Sequence, residues 1–398
     1  MGTTLQHALT AADIAAANTL TRRWLASRTE IPAAASGLGV WPLLAVLATG
    51  AVGETRDELL AAAGLDPARA AALPEALLAA AATSPAIRLA VAVWAGARVT
   101  LDPDWTAGLP VDTVGSLTGD APADKAALDA WAARHTQGLI EEMPLDFAAP
   151  IDLVLASALS VRTDWKTPFQ DLQRSFTTGP WSGLGPCRAL SATLREDVLR
   201  FADHATVLTL PGNGDIDVLL GLGRPDLAPH AVMDALLDAL DPAWGRSATE
   251  LAVGERAVGV EVAEYLTAGR QRDPETQVET VRFTLESDLD LSEDAAALGL
   301  TLACDDDRAR FDRLATEPVH ISQAKQSCKA IFSAKGFEAA AVTALAMTRA
   351  AALPKPNHRH VRATVTFDRP FAYLARHRPT GLALVAGWVA QPEPATPR

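Results

Sequence analysis

Cysteine is scarce in this chain of 398 residues: Cys187, Cys304 and Cys328 are odd in number, far apart and without a Cys-x-x-Cys. That spacing supports neither a disulfide framework nor a zinc site, so three reduced and largely buried thiols are expected. Lysine is also rare, six of the 35 basic residues, and the arginines are scattered rather than striped along one face. With a net charge of -13, this disfavours a nucleic-acid or anionic-membrane partner. No apolar run reaches the ~20 residues of a membrane span. The N-terminal stretch Met1 to Arg23 has no basic leader, continuous apolar core or small-residue cleavage site. The chain as it stands therefore reads as cytoplasmic, or as one whose export leader has been removed.

Catalytic signatures are missing too. There is no Gly-x-Ser-x-Gly, His-Glu-x-x-His or Walker loop, so no enzymatic active site and no cofactor are expected. Asp305-Asp306-Asp307 lacks the glycine and terminal glutamate of a calcium loop and reads as a solvated turn. His358 and His360 offer two metal ligands with no third nearby, so that stretch reads as an exposed, solvated loop without metal.

What is present is enough chain to bury a sizeable core. Apolar positions recur at helical spacing from Ala11 to Leu65, with Pro42 expected to open one helical stretch. Ile87 to Ala95 alternates as a strand, and Asp124 to Ile140 returns to a helical period. Ile151 to Val161 is a short, nearly continuous apolar run, the pattern of a buried strand. Val207 to Leu210 and Asp217 to Leu222 are strands around a Pro-Gly-Asn-Gly turn, and Ala231 to Leu240 is helical. Thr280 to Glu286 reads as strand, Leu291 to Leu300 as helix, and Ala363 to Phe367 and Gly381 to Val389 as late strands. No repeat or long linker divides the chain, so residues 1–398 are expected to form one α+β domain.

Four motifs occur in one order. The first is Asp129 to Ile140, with Trp131, Thr136, Gly138 and Ile140; the second is Val161 to Phe169, with Trp165 and Pro168-Phe169. The third is Gly336-Phe337-Glu338-Ala339-Ala340-Ala341-Val342-Thr343; the fourth is Asp368 to Leu374 followed by Gly387 to Pro392. Together they resemble the serpins, a family of serine-protease inhibitors. The resemblance implies an α+β fold of three β-sheets and eight or nine helices, with an exposed reactive-centre loop over residues 336–362. It also implies a partner, a serine protease that cuts the loop and is trapped as the loop enters the main sheet. A monomer is expected. By the same resemblance Gly336 to Thr343 is the hinge, and Trp165 and Cys328 stand where the sheet opens.

An inserting strand puts alternate side chains on opposite faces. Phe337, Ala339, Ala341, Thr343, Leu345 and Met347 share one face; Glu338, Ala340, Val342, Ala344, Ala346 and Thr348 share the other. The only charge, Glu338, is then expected to point outward. Alone, an alanine-rich run such as Glu338 to Ala346 reads as helix, alanine being the best helix former. The flanking motifs turn that reading toward a bait.

Some residues depart from the family pattern. Phe337 stands where a threonine or serine is usual, and an aromatic there is expected to slow or stop insertion. Cys328 occupies the place of a common histidine. The strand before Gly336 is about two residues short, and Trp41 to Leu44 lacks the paired serines of the family. Counting from Gly336 puts the reactive bond at Ala350-Ala351, with Arg349 as rival; counting back from Pro370 puts it near Arg359-His360. Ala350 implies an elastase- or subtilisin-like target, Arg349 a trypsin-like one. A second reading is a serpin-fold binding or storage protein whose loop does not insert.

Overall fold

The computed structural model describes residues 4–271, 273–337 and 358–395. Among them are nine α-helices and three β-sheets, a mixed α+β architecture. No described helix is long and apolar enough to cross a membrane. The chain divides into two compact units.

The first unit comprises Met1–Val161, Glu286–Lys329 and His377–Ala386. Its helices start where the sequence supplies caps. Thr10 and Asp13 form a reciprocal capping box that opens Ala11–Ser27, and Asp66 followed by Pro67 opens Pro67–Thr83. Pro42 does not open a helix. Ser36 caps Gly37–Gly50, its hydroxyl accepting from the Gly39 amide, and Pro42 lies inside. Proline there removes one ladder donor, but the helix is buried on nearly every side, and packing outweighs the lost bond.

In this unit Leu153–Val161 runs antiparallel to Ile87–Ala95 and parallel to the strand Ile321–Phe332. We call the last the hinge strand and Leu153–Val161 the partner strand. Both faces of the partner strand are covered, which explains its continuous apolar sequence. Leu291 to Leu300, expected as a helix, holds only the single turn Ala295–Leu298, closed by Gly299 at φ 71.

The second unit comprises Arg162–Leu285, Ala330–Arg376 and Gly387–Arg398. One of its sheets takes in Leu199–Phe201, Ala205–Pro211 and Ile216–Gly223 as consecutive antiparallel neighbours. The other orders Arg256–Ala257, Val260–Thr267, His358–Thr366, Thr276–Val281, Pro186–Leu194 and Gln170–Ser175. The expected strand Thr280 to Glu286 is two strands, Thr276–Val281 and Phe283–Asp290, broken at Arg282.

The stretch His358-Arg359-His360 is not a solvated loop. It begins the strand His358–Thr366, which pairs antiparallel with Val260–Thr267 and parallel with Thr276–Val281. His360 is only 8% exposed, and its Nε2 donates to the Gly269 carbonyl at 2.7 Å. The expected loop 336–362 is thus bounded by strand at both ends, and residues 338–357 lie outside the described residues.

Candidate functional site

The hinge strand ends at Phe332, the chain reverses over 333–335, and Gly336–Phe337 runs back beside it with Phe337 opposite Phe332. The other edge of this two-residue return strand pairs with Thr163–Asp164. Gly336 is required here, because a Cβ on it would overlap the Thr163 carbonyl oxygen. Gly336 and Phe337 therefore occupy a place between strands, beside the end of a strand twelve residues long.

Trp165 holds this reversal. Its backbone N–H donates to the Lys335 carbonyl at 2.8 Å and its indole N–H to the Ser333 carbonyl at 2.8 Å, while the Phe169 N–H donates to the Ala334 carbonyl at 2.8 Å. The Trp165 ring lies 5.0 Å from Phe332 and 6.1 Å from Phe169. Phe332 stacks on Phe283, and Phe283 and Phe337 both pack on Tyr373. Phe337 is 1% exposed within this cluster. The Phe337 ring fits here because its neighbours are rings that leave an aromatic slot.

In the first unit, the seam between the hinge strand and its partner strand contains a buried polar group. Gln326 exchanges two hydrogen bonds with the Ser36 backbone, 2.9 Å each, and the Ser36 hydroxyl donates to the Leu384 carbonyl at 2.6 Å. Directly across from Gln326 is Ser157. Its hydroxyl is fully buried without a hydrogen-bond partner, a state that costs about 1–3 kcal/mol. Gly39 leaves space beside it, since a Cβ there would overlap Ser157 Oγ. Cys328, two residues on, is buried, and its Sγ lies 3.4 Å from Gln326 Oε1. Burial pushes its thiol up to about 12, so it is a packed, inert side chain rather than a nucleophile.

Of the residues expected to open the sheet, Trp165 thus belongs to the second unit and Cys328 to the first. Sequence reasoning missed Ser36, Gln326 and Ser157. It looked for serines at Trp41 to Leu44, whereas the polar group stands at Ser36, the helix cap. The signal available was that Ser36 precedes Gly37-Leu38-Gly39 as a helix N-cap. Glu338 to Thr343 of the hinge and the candidate bond residues Arg349, Ala350 and Ala351 lie outside the described residues.

The strand His358–Thr366 is fixed by more than its two neighbouring strands. The Gln271 side chain bonds both the N–H and the carbonyl of Val361, at 2.9 and 2.8 Å. Glu275 Oε1 accepts from Tyr265 at 2.6 Å and from two nitrogens of Arg362 at 2.8 and 2.5 Å. Burial pushes the Glu275 carboxyl up, but the hydrogen bonds from Tyr265 and Arg362 outweigh it and hold it below its usual range. His360 and Glu275 lie 3.8 Å apart, and no group of three metal-ligating side chains occurs among the described residues.

The family model described as Serpin (serine protease inhibitor) matches residues 15–182 and 252–392. Plasminogen activator inhibitor 1 of Sus scrofa is 25% identical over 275 residues, 66% of this chain and 60% of that protein. The chain thus spans less than two thirds of that relative's length. A putative serpin-Z6C of Oryza sativa subsp. japonica is 26% identical over 395 residues, 90% of each chain. Among solved structures, the thermophilic serpin Tengpin in its native state aligns with a TM-score of 0.73 at 15% identity, over 96% of this chain and 93% of that one. Native protease nexin-1 with heparin aligns at 0.71 and 20% identity, over 96% and 98%.

Proposed function

The chain belongs to the serpin family, and from that premise we propose that it is a suicide substrate of a serine protease. The protease serine attacks the carbonyl of Ala350, the bond to Ala351 breaks and releases the Ala351 amine, and the Ala350 ester to the protease remains. The freed loop then enters the sheet as a new strand before water cleaves that ester. The observation that carries this reading is the return strand Gly336–Phe337. It supplies the first step of insertion, in register and with Phe337 buried.

The register supports the reactive bond as well. Phe337 stands opposite Phe332 in an antiparallel pair. A loop inserted in that register would bring Thr348 opposite Ile321, where the hinge strand begins. A bond just past Thr348 leaves a loop long enough to fill the whole strand, and this favours Ala350-Ala351, with Arg349 next. Arg359-His360 is disfavoured, because both residues are committed to a strand, where they pair with Leu266 and Tyr265.

The target is an elastase- or subtilisin-like protease for Ala350 and a trypsin-like one for Arg349. Mixing the full chain with one protease of each kind tests the reading. A denaturant-stable covalent complex with one of them is expected. Clean cleavage without complex by all three would leave a serpin-fold binding or storage protein in its place.

A further inference from the structure

A cavity of about 350 Å³ opens in the second unit beside the strand His358–Thr366. Its floor is a row of three residues on three neighbouring strands. Val262 pairs with Ala363 and Ala363 with Thr276, so the three side chains stand on one face of that sheet. All three line the cavity, and each is at most 8% exposed. Ala248 and Leu251 supply a wall, where the single 3-10 turn Ala248–Glu250 is held by the reciprocal capping box of Ser247 and Glu250. The space exists because alanine stands both in that wall and in the middle strand of the floor. A volume of this order lies within the usual range of small-molecule sites, about 300–1,000 Å³.

The floor carries one polar group. Thr276 is 5% exposed, and its hydroxyl makes no hydrogen bond among the described residues. A buried hydroxyl without a partner is costly, so a ligand group that reaches it gains a bond at little loss. Three carboxylates also line the cavity, and no lysine, arginine or histidine does. Two of them are engaged: Glu275 by Tyr265 and Arg362, and Asp197 by the Ser247 hydroxyl at 2.7 Å and by Arg200 at 3.4 Å. The third, Asp273, is exposed, and its carboxylate has neither hydrogen bond nor ion pair among the described residues. An anionic ligand would therefore meet only acceptors. An ammonium group beside Asp273 would instead make a charge-assisted hydrogen bond, and an apolar body behind it would cover Val262, Ala363 and Leu251.

We propose that this cavity binds a small amphiphilic amine. Asp273 holds the ammonium at the rim, the apolar body lies over the alanines, and a polar tip reaches the Thr276 hydroxyl. The site stands apart from the bait, since none of its residues belongs to 336–357, and it holds whether or not the loop inserts.

Isothermal titration calorimetry of the full chain tests it with three probes. Tyramine carries all three features, phenethylamine lacks the hydroxyl, and 4-ethylphenol lacks the ammonium. Tyramine is expected to bind about fivefold more tightly than phenethylamine, as one neutral hydrogen bond implies, and about tenfold more tightly than 4-ethylphenol, as a charged one implies. Thr276→Val keeps the shape of the floor and should bring tyramine down to the level of phenethylamine. Asp273→Asn, at an exposed position, should weaken both amines about tenfold. No binding of tyramine at millimolar concentration overturns the proposal, as does equal binding of tyramine and 4-ethylphenol. Amine binding indifferent to Asp273→Asn places the ligand elsewhere and overturns it too, even if Thr276→Val fails to fold. A tyramine preference that survives Thr276→Val overturns the assigned orientation.

Discussion

The indole N–H of Trp165 donates to the Ser333 carbonyl at 2.8 Å, which ties the chain down at the point where it leaves the hinge strand and turns back as Gly336–Phe337. Trp165 is 2% exposed and Ser333 5%, so neither group has water as a ready substitute. Trp165→Phe keeps a ring against Phe332 and removes the donor. A loss of about 1–3 kcal/mol is expected for a buried acceptor left unpaired, read from the urea unfolding midpoint. An unchanged midpoint would show that Ser333 finds another partner.

Gly336→Ala addresses the return strand itself. The added Cβ meets the Thr163 carbonyl, a backbone atom that cannot move aside. The substitution is expected to cost about 1–3 kcal/mol by overpacking. Phe337→Ala, which empties a slot beside Tyr373, is expected to cost about 3 kcal/mol. Differential scanning calorimetry of the uncut chain checks both, and equal melting of all three proteins would mean that the return strand contributes nothing to stability.

The thiols of Cys328 and Cys304 are each raised to about 12, for both chiefly by burial. A thiol raised in the folded state keeps its proton there while the unfolded chain loses it. Its contribution is fully present below the unfolded value of 9.0 and falls away as pH rises from there toward about 12. Each thiol is expected to remove about 1 kcal/mol of stability per pH unit across that window. Urea unfolding at pH 8 and pH 10 measures it, and Cys328→Ala should flatten the slope. A thiol reagent at pH 8 should label neither residue until denaturant is added.

Glu275→Gln tests the anchor of the strand His358–Thr366. The Glu275 carboxyl is held below its usual value of 4.5 when folded, so it stabilises the fold above that pH, and the benefit is lost as pH falls through the lowered value. The variant is expected to be less stable by about 1–3 kcal/mol at pH 7, the worth of charged hydrogen bonds. The difference from wild type should close in acid. A gap that persists well below the carboxylate range would assign the loss to packing rather than charge.

How far each element could be read from its residues depended on whether its signal was local. Ile87–Ala95 was legible to the residue, because alternation sets a strand wherever one face is buried. The helix Ala121–Thr136, capped by Asp120, was legible within a few residues, and Pro42 misled because a proline at the first helical turn and one inside a fully buried helix look alike in sequence. His358 to His360 misled for a related reason. Polar residues next to an alanine- and proline-rich stretch suggest solvent, yet the Gly269 carbonyl, far away in sequence, accepts from the His360 ring, while Gln271 and Glu275 fix Val361 and Arg362 beside it.

By itself the sequence determined the motif order, the alternation of Ile87–Ala95 and the glycine at 336, since these depend on side-chain size and backbone freedom along one stretch of chain. Only the tertiary structure decided that Phe337 is seated beside Phe332 and that Ser36, Gln326 and Ser157 meet in one buried seam. Those follow from the register of strands far apart in sequence. Register is a relation between chains of side chains packed on a common face, and no single segment contains it.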